Sequence, residues 1–314
     1  MISMRYHIVS LAAIFLALAL GIVLGATKIS SPLLSGLQGD NEMLTSQHDE
    51  LTTENEDLSG RITEDENFAG AVGALAVRGT LPKTNVVLIT TAAADPTDRD
   101  AVLSLLDRAG ATVTGQIQLT SDFSDPARAE ELRSLAATTL PTGATLPEVP
   151  QAGAIAGGLL GSVLIAPAGG NAVASPEQAD AVLSALTSAG FITVTGTPAA
   201  GQSVVILTGA ESTGGSEADK AATVADLAGQ LAQNPDVTGL VLAGTSGSEK
   251  STGSVGVVRG DTALSATVST VDNVDSDTGR IATVLGLVEQ NGGGVGQYGF
   301  AADAQAQAPT LAVG

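Results

Sequence analysis

The hydrophobic pattern changes three times along the chain. Residues 8–26, IVSLAAIFLALALGIVLGA, are nineteen uncharged and mostly apolar residues bounded by Arg5 and Lys28. At about 1.5 Å per residue such a helix measures roughly 28 Å, close to a bilayer's hydrocarbon core. A cleaved signal peptide carries a shorter apolar core and a small-x-small cleavage site, and VLGATKI is a poor one. The pattern therefore predicts an uncleaved transmembrane anchor over residues 1–28. Arg5 flanks it on one side and a long acidic stretch follows Lys28. The positive-inside preference then puts the N-terminus in the cytoplasm and the main domain outside the membrane.

Behind the anchor the apolar period becomes seven. Leu37, Leu44, Leu51 and Leu58 recur at heptad spacing through otherwise polar sequence, which predicts a coiled coil over residues 29–70. With these leucines at d, the a positions are Leu34, Asn41, His48, Asn55 and Ile62. Polar a residues weaken a coiled coil but fix register and favour dimers. Inside the anchor, Ala13, Ala17, Gly21 and Gly25 form a small-xxx-small row, a face that lets two helices approach closely in lipid. Pro32 is expected to interrupt the helix between the two segments. Residues 40–66 hold ten carboxylates and one base, Arg61. A homodimer therefore gains few interchain ion pairs, and Gly39 and Gly60 weaken the helix further. Tethering by the anchor raises the effective concentration of the two strands. The segment reads as a homodimer just outside the membrane, or as an acidic surface for an envelope protein partner. A solvated spacer helix is the plainer alternative.

From residue 84 short Val/Ile/Leu runs alternate with helical stretches. NVVLIT (85–90) reads as a buried strand, DRDAVLSLLDRAG (98–110) as an amphipathic helix ended by Gly110, and ATVTGQIQL (111–119) as a strand. This alternation implies a parallel sheet. DAVLSLLDRAGATVTG, from Asp100, returns as DAVLSALTSAGFITVTG, from Asp180, preceded by a predicted strand SVLIAP (162–167). The recurrence is read as an internal duplication with halves at about 84–140 and 154–200, joined by the Pro-rich segment 139–153. A third unit, 201–298, contributes SVVILTG (203–209), a helix near 217–233, VTGLVLAG (237–244), strand-like SVGVVRG (254–260) and LSATVSTV (264–271), and a last helix near 278–291. Residues 299–314 read as a disordered tail. The fold class is α/β: an N-terminal transmembrane helix and coiled coil, then a doubly wound, Rossmann-like parallel sheet over 84–298. Whether it forms one continuous sheet or two smaller ones stays open.

Composition narrows the chemistry. Thirteen basic against thirty-three acidic residues give a net charge of −20, a field that repels nucleic acid. The 314 residues include no cysteine, so disulfides and thiolate metal sites are excluded. The two histidines, His7 and His48, both precede the main domain. A serine nucleophile usually needs a histidine base, and aromatic residues are only 2%, too few for sugar platforms. The sequence therefore reads as a protein that is not an enzyme.

Two loops could still hold a ligand. GTSGSEKS (244–251) nearly matches the phosphate loop, but Glu249 stands at the second glycine, where a carboxylate repels phosphate. Asp272, Asp275 and Asp277 cluster between a strand and a helix and could hold a hard divalent cation. The plainer reading is that Asp277 caps the last helix and the other two favour its positive end. No cofactor is firmly indicated.

The N-terminal MISMRYHIVSLAAIFLALALGIVLG and the C-terminal VSTVDNVDSDTGRIATVLGLVEQNGGGVGQYG resemble the family of mycobacterial copper transport protein B (MctB). The order of anchor, coiled coil and α/β domain matches as well. The resemblance implies an actinobacterial cell-envelope protein of copper efflux and copper tolerance, described in that family as a channel of the outer envelope, with copper ion as the metal handled. Copper(I) prefers thioether, thiolate and imidazole ligands. Here those candidates are Met1, Met4, His7, Met43 and His48, all within the first 48 residues. Met43 and His48 lie on the coiled coil. Two functional readings stay open: a copper-homeostasis membrane protein, or a coiled-coil envelope scaffold recruiting a cell-division or cell-wall-remodelling partner.

Overall fold

A computed structural model describes residues 4–167 and 169–310, with the side chains of 26–37 left aside. Helix α1 runs from Met4 to Ala76. It is assigned as helix through Pro32, so the expected interruption is absent. Its first 22 residues, Met4–Gly25, have a mean hydropathy of 2.7 and none of them is buried. This is the one segment among the described residues long and apolar enough to cross a membrane. Two compact units divide the chain at Asp65 and Glu66. The first is helical wherever it is described, and the second is the α/β head.

The head is one mixed seven-stranded sheet in the order β3–β2–β1–β4–β5–β6–β7. The strands are β1 (Asn85–Thr90), β2 (Thr112–Leu119), β3 (Ile192–Thr195), β4 (Ser203–Thr208), β5 (Gly239–Gly244), β6 (Ser269–Val271) and β7 (Gln297–Tyr298). All neighbours pair parallel except β3, which runs antiparallel to β2. The expectation of a purely parallel sheet is corrected at that edge.

The central strands β1, β4 and β5 are buried along nearly their whole length because both faces are covered. Val86, Leu88, Val205, Leu207 and Val241 point to one core, shared with α2 (Pro96–Ala109) and α9 (Asp277–Asn291). Val87, Ile89, Val204, Ile206, Leu240 and Leu242 point to the other. That second core includes residues of α3 (Ala129–Thr139), α4 (Ala152–Leu164), α5 (Pro176–Ser188), α6 (Glu217–Ala232) and α7 (Ser254–Gly260). A short helix, α8 (Thr262–Ser265), precedes β6. The ends follow local rules. Asp95 caps α2 by accepting from the Thr97 amide, with Pro96 at the first turn. Ser175 and Gln178 form a capping box on α5. Gly110 closes α2 at φ 86°, a conformation that suits glycine.

One predicted strand is a helix and another is half of one. The first three residues of SVLIAP end α4, whose AGAIAGGLLGSVL is buried almost all round, and Ile165 then makes an isolated parallel bridge with Gly201. A helix buried on every side loses its 3.6 period and resembles a core strand. Gly153 and Gly157 leave no room for a side chain against the Thr223 and Leu227 carbonyls, so α4 lies tightly on α6. SVGVVRG is α7, where burial of Val255 and Val258 outweighs β-branched propensity. The recurrence at Asp100 and Asp180 therefore extends to helix, glycine turn and strand. Among the described residues only an isolated bridge at Ile165, and no full strand, precedes its second copy, and β3 opposes β2 in direction.

The segment after β7, expected as a disordered tail, folds back over residues 299–306. The Gly299 amide donates to the Ala306 carbonyl, and the Gln305 amide to the Gln297 carbonyl. Residues 311–314 lie outside the described set.

Candidate functional site

The soft-ligand candidates all sit on α1. Met4 and Met43 are 81% and 60% exposed, and His7 and His48 are exposed; Met1 lies outside the described residues. At about 100° per residue, Met43 and His48 are separated by roughly 140° around the helix and do not share a face. Of the zipper leucines, Leu44, Leu51 and Leu58 are exposed, and the side chain of Leu37 lies outside the described set. Ala13, Ala17 and Gly21 are exposed and Gly25 partly so.

The three aspartates do not converge on a common point. Asp272 is buried and pairs with Arg259 at 2.8 Å, while accepting from the Phe300 and Ala301 amides. Asp275 accepts from the Ser246 amide and hydroxyl. Asp277 pairs with Arg280 at 2.8 Å. Among the described residues no group of three His, Asp or Glu side chains is placed to hold a metal ion.

What gathers instead around Asp277 is a junction. The turn VDNVDS delivers the chain from β6 into α9, and Ser276, rather than Asp277, is the cap, accepting from the Gly279 amide at 3.0 Å. Asp277 is the first helical residue. Its amide and that of Thr278 both donate to the Glu66 carboxylate, at 2.6 and 3.2 Å, and the Thr278 hydroxyl donates to it at 2.8 Å. Glu66, on the last turns of α1, thus satisfies two of the orphan amides that every helix start exposes, and its charge faces the positive end of α9. Gly70 and Gly73 allow the approach: a Cβ on either would overlap Asp277 or Ile281. Val77 then enters the core. Arg280 finishes the junction by pairing with Asp98 at 2.7 Å and donating to the Val274 carbonyl. Burial pushes the Asp98 pKa up, with the Arg280 guanidinium pulling the other way.

Sequence reasoning missed Glu66. It is one of ten carboxylates between 40 and 66, and nothing in its spacing marks it. The usable signal was the small-residue run AGAVGALA at 69–76, which announces close packing where the zipper ends.

A second feature lies where the sheet's winding reverses. β1 and β4 are neighbours, but β1 leads into α2 on one face and β4 into α6 on the other. Ligands of open α/β sheets bind in such a crevice. Here it is a cavity of about 500 Å³ between the loop after β2 and the loop before α6. Thr91 and Thr208, at the ends of β1 and β4, line its floor and share a 3.3 Å hydrogen bond. Lys220 lines it from α6 and donates to the Thr213 carbonyl at 3.1 Å. The loop GTSGSEKS is adjacent but occupied by its own side chain: Glu249 accepts from the Gly247 amide. It leads into α7, a helix and not the expected strand.

Comparison with known proteins adds the family. The profile described as "Copper transport outer membrane protein, MctB" matches residues 1–309. The copper transporter MctB of Mycobacterium tuberculosis is 40% identical over 309 residues, covering 95% of this chain and 96% of the relative. The copper transporter MctB of Mycobacterium leprae is 38% identical over 314 residues, with the same coverage.

Proposed function

The chain belongs to the MctB family, and from this we propose that it is a membrane-anchored cell-envelope protein of copper efflux and homeostasis, acting without catalysis. The observation that carries the reading is the match of family and relatives along nearly the whole chain, anchor included. The unburied apolar segment Met4–Gly25 supports a single-pass anchor, with its N-terminus in the cytoplasm and the head outside. The exposed Leu44, Leu51 and Leu58 support a homodimeric coiled coil over 29–70, assisted by the Ala13–Gly25 row in lipid.

In this reading copper is cargo. The α/β head offers it no thioether or imidazole, since residues 49–314 hold no histidine, cysteine or methionine. Soft contacts fall to α1, where the a-position His48 of two strands would face the ion from the seam and Met43 would offer a separate thioether on the outer face. The head's own sheet is open and covered by helices on both faces, which supports a role within a larger export assembly over a pore built by the head. A deletion strain tests this. Copper sensitivity restored by the wild-type gene, but not by a His48→Ala/Met43→Ala copy, is the expected result; full rescue by that copy removes direct coordination on the stalk.

A second reading rests on the ten carboxylates of residues 40–66: an acidic scaffold that recruits a basic envelope partner for division or wall remodelling. Unchanged copper tolerance with altered cell separation in the deletion strain would favour it.

A further inference from the structure

We infer that the cavity between β1 and β4 binds a small hydroxylated anion of the sugar-phosphate or sugar-acid class, a function beyond copper handling. The position is the first argument: the C-terminal edge of the sheet at its reversal point, with a volume of about 500 Å³, within the usual range for small-molecule sites.

The walls supply the second. Ser254 lines the cavity although it is only 4% exposed, and no hydrogen bond of its hydroxyl is found among the described residues. A hydroxyl without a protein partner keeps its donor and acceptor capacity for a ligand. Thr91 and Thr208, also more than nine-tenths buried, have only the long bond to each other at the cavity wall. Each hydroxyl keeps further capacity.

The third argument is charge. On the α6 side, Lys220 spends one of its three donors on the Thr213 carbonyl and makes no ion pair among the described residues. Gly214, Gly215 and Ser216 are all left-handed there, at φ 83°, 89° and 54°, and Ser216 makes no side-chain capping bond to α6. The Gly215 amide already holds an anionic oxygen, Glu217 Oε1 at 2.8 Å, and that contact keeps the Glu217 pKa below the ordinary carboxylate value. An incoming anion would replace an oxygen of the same kind. On the β2 side the carboxylates are Asp122, paired at 2.5 Å with an Arg128 that it shares with Glu131, and Asp125, which accepts from the Ala127 amide. They suit ligand hydroxyls. Glu211 is likewise paired, with Lys250.

Base stacking is absent from this inventory. Phe123 is the one aromatic residue in the lining and is 2% exposed, committed to the core. A sugar ring with one anionic group fits; a nucleotide has nothing to stack on.

The full-length chain in detergent, titrated calorimetrically with glucose 6-phosphate, gluconate, inorganic phosphate and AMP, tests the inference. Glucose 6-phosphate or gluconate is expected to bind, the one that binds identifying the class. Lys220→Gln should weaken that binding about tenfold, the loss of one charge-assisted hydrogen bond. Glu217→Ala, which frees the Gly215 amide and removes a competing charge, should tighten it several-fold, an outcome that misfolding does not imitate. No binding of either sugar at about 10 mM, a dissociation constant weaker than any useful site, overturns the inference. So does AMP or phosphate binding as tightly as the sugar, or affinity indifferent to both substitutions.

Discussion

Replacing Glu66 by alanine should release the end of α1 from α9 while leaving the sheet intact. The carboxylate receives three hydrogen bonds, from the Asp277 and Thr278 amides and the Thr278 hydroxyl. Loss of a helix-start acceptor costs about 1 kcal/mol. The carboxylate's attraction to the positive end of α9 adds roughly 0.3–1 kcal/mol, so about 2 kcal/mol is an upper working figure. Glu66 is half-buried, so solvent does not screen this fully. At about 1.4 kcal/mol per decade, 2 kcal/mol corresponds to roughly thirtyfold faster opening. Hydrogen–deuterium exchange of the full chain in detergent reads it directly. The Asp277 and Thr278 amides should lose protection along with residues 66–76, while β4 and β5 keep theirs. Glu66→Gln retains an acceptor without the charge and should lie between wild type and Glu66→Ala. Unchanged exchange at 277 and 278 in Glu66→Ala would refute the junction as described.

Two further outcomes follow from buried polar groups. Arg259 and Asp272 are 4% and 3% exposed and bonded to each other, so Arg259→Ala strands a buried carboxylate at a cost of about 3–5 kcal/mol. Thermal denaturation should show a loss of several degrees; a shift within error would show that Asp272 is relieved by the Phe300 and Ala301 amides alone. Tyr298 donates its hydroxyl to Glu289, and burial followed by that carboxylate raises its pKa above the ordinary phenol value. Its folded pKa thus exceeds the unfolded one near 10, so the stability it contributes is fully present below pH ~10 and lost as pH rises through the folded value. In a Tyr6→Phe chain, phenolate absorbance should report Tyr298 ionising only together with unfolding; a Tyr298 that ionises with the head still folded contradicts its burial.

The legible part of the fold was the part whose hydrophobic period survives. NVVLIT, SVVILTG and VTGLVLAG became β1, β4 and β5, and the helices expected near 98–110, 217–233 and 278–291 appear within two residues. The failures share one cause. In α4 and α7 burial on several sides erased the helical period, and β-branched or glycine-rich composition then pointed to strands. The edge direction of β3 depends on where the long connection 120–190 returns, which local sequence does not encode. The junction at Glu66 and the cavity at Ser254 are products of tertiary approach. A carboxylate in an acidic run, or a serine before a valine, carries no local mark of the partner 211 residues away or of the cavity it faces. In the motifs that looked chemical, Glu249 of GTSGSEKS accepts from the nearby Gly247 amide and each of the three aspartates is bonded to different groups.

The account stands on α1 remaining in the membrane with the head on its outer side. A chain without cysteine permits a clean measurement: single substitutions Met4→Cys and Ala137→Cys, both at exposed positions, probed with a membrane-impermeant maleimide. Intact cells should label Ala137→Cys in a full-length, membrane-bound protein, with Met4→Cys labelled only after permeabilisation. Labelling of the head only after permeabilisation, or recovery of a shortened soluble chain, would contradict it.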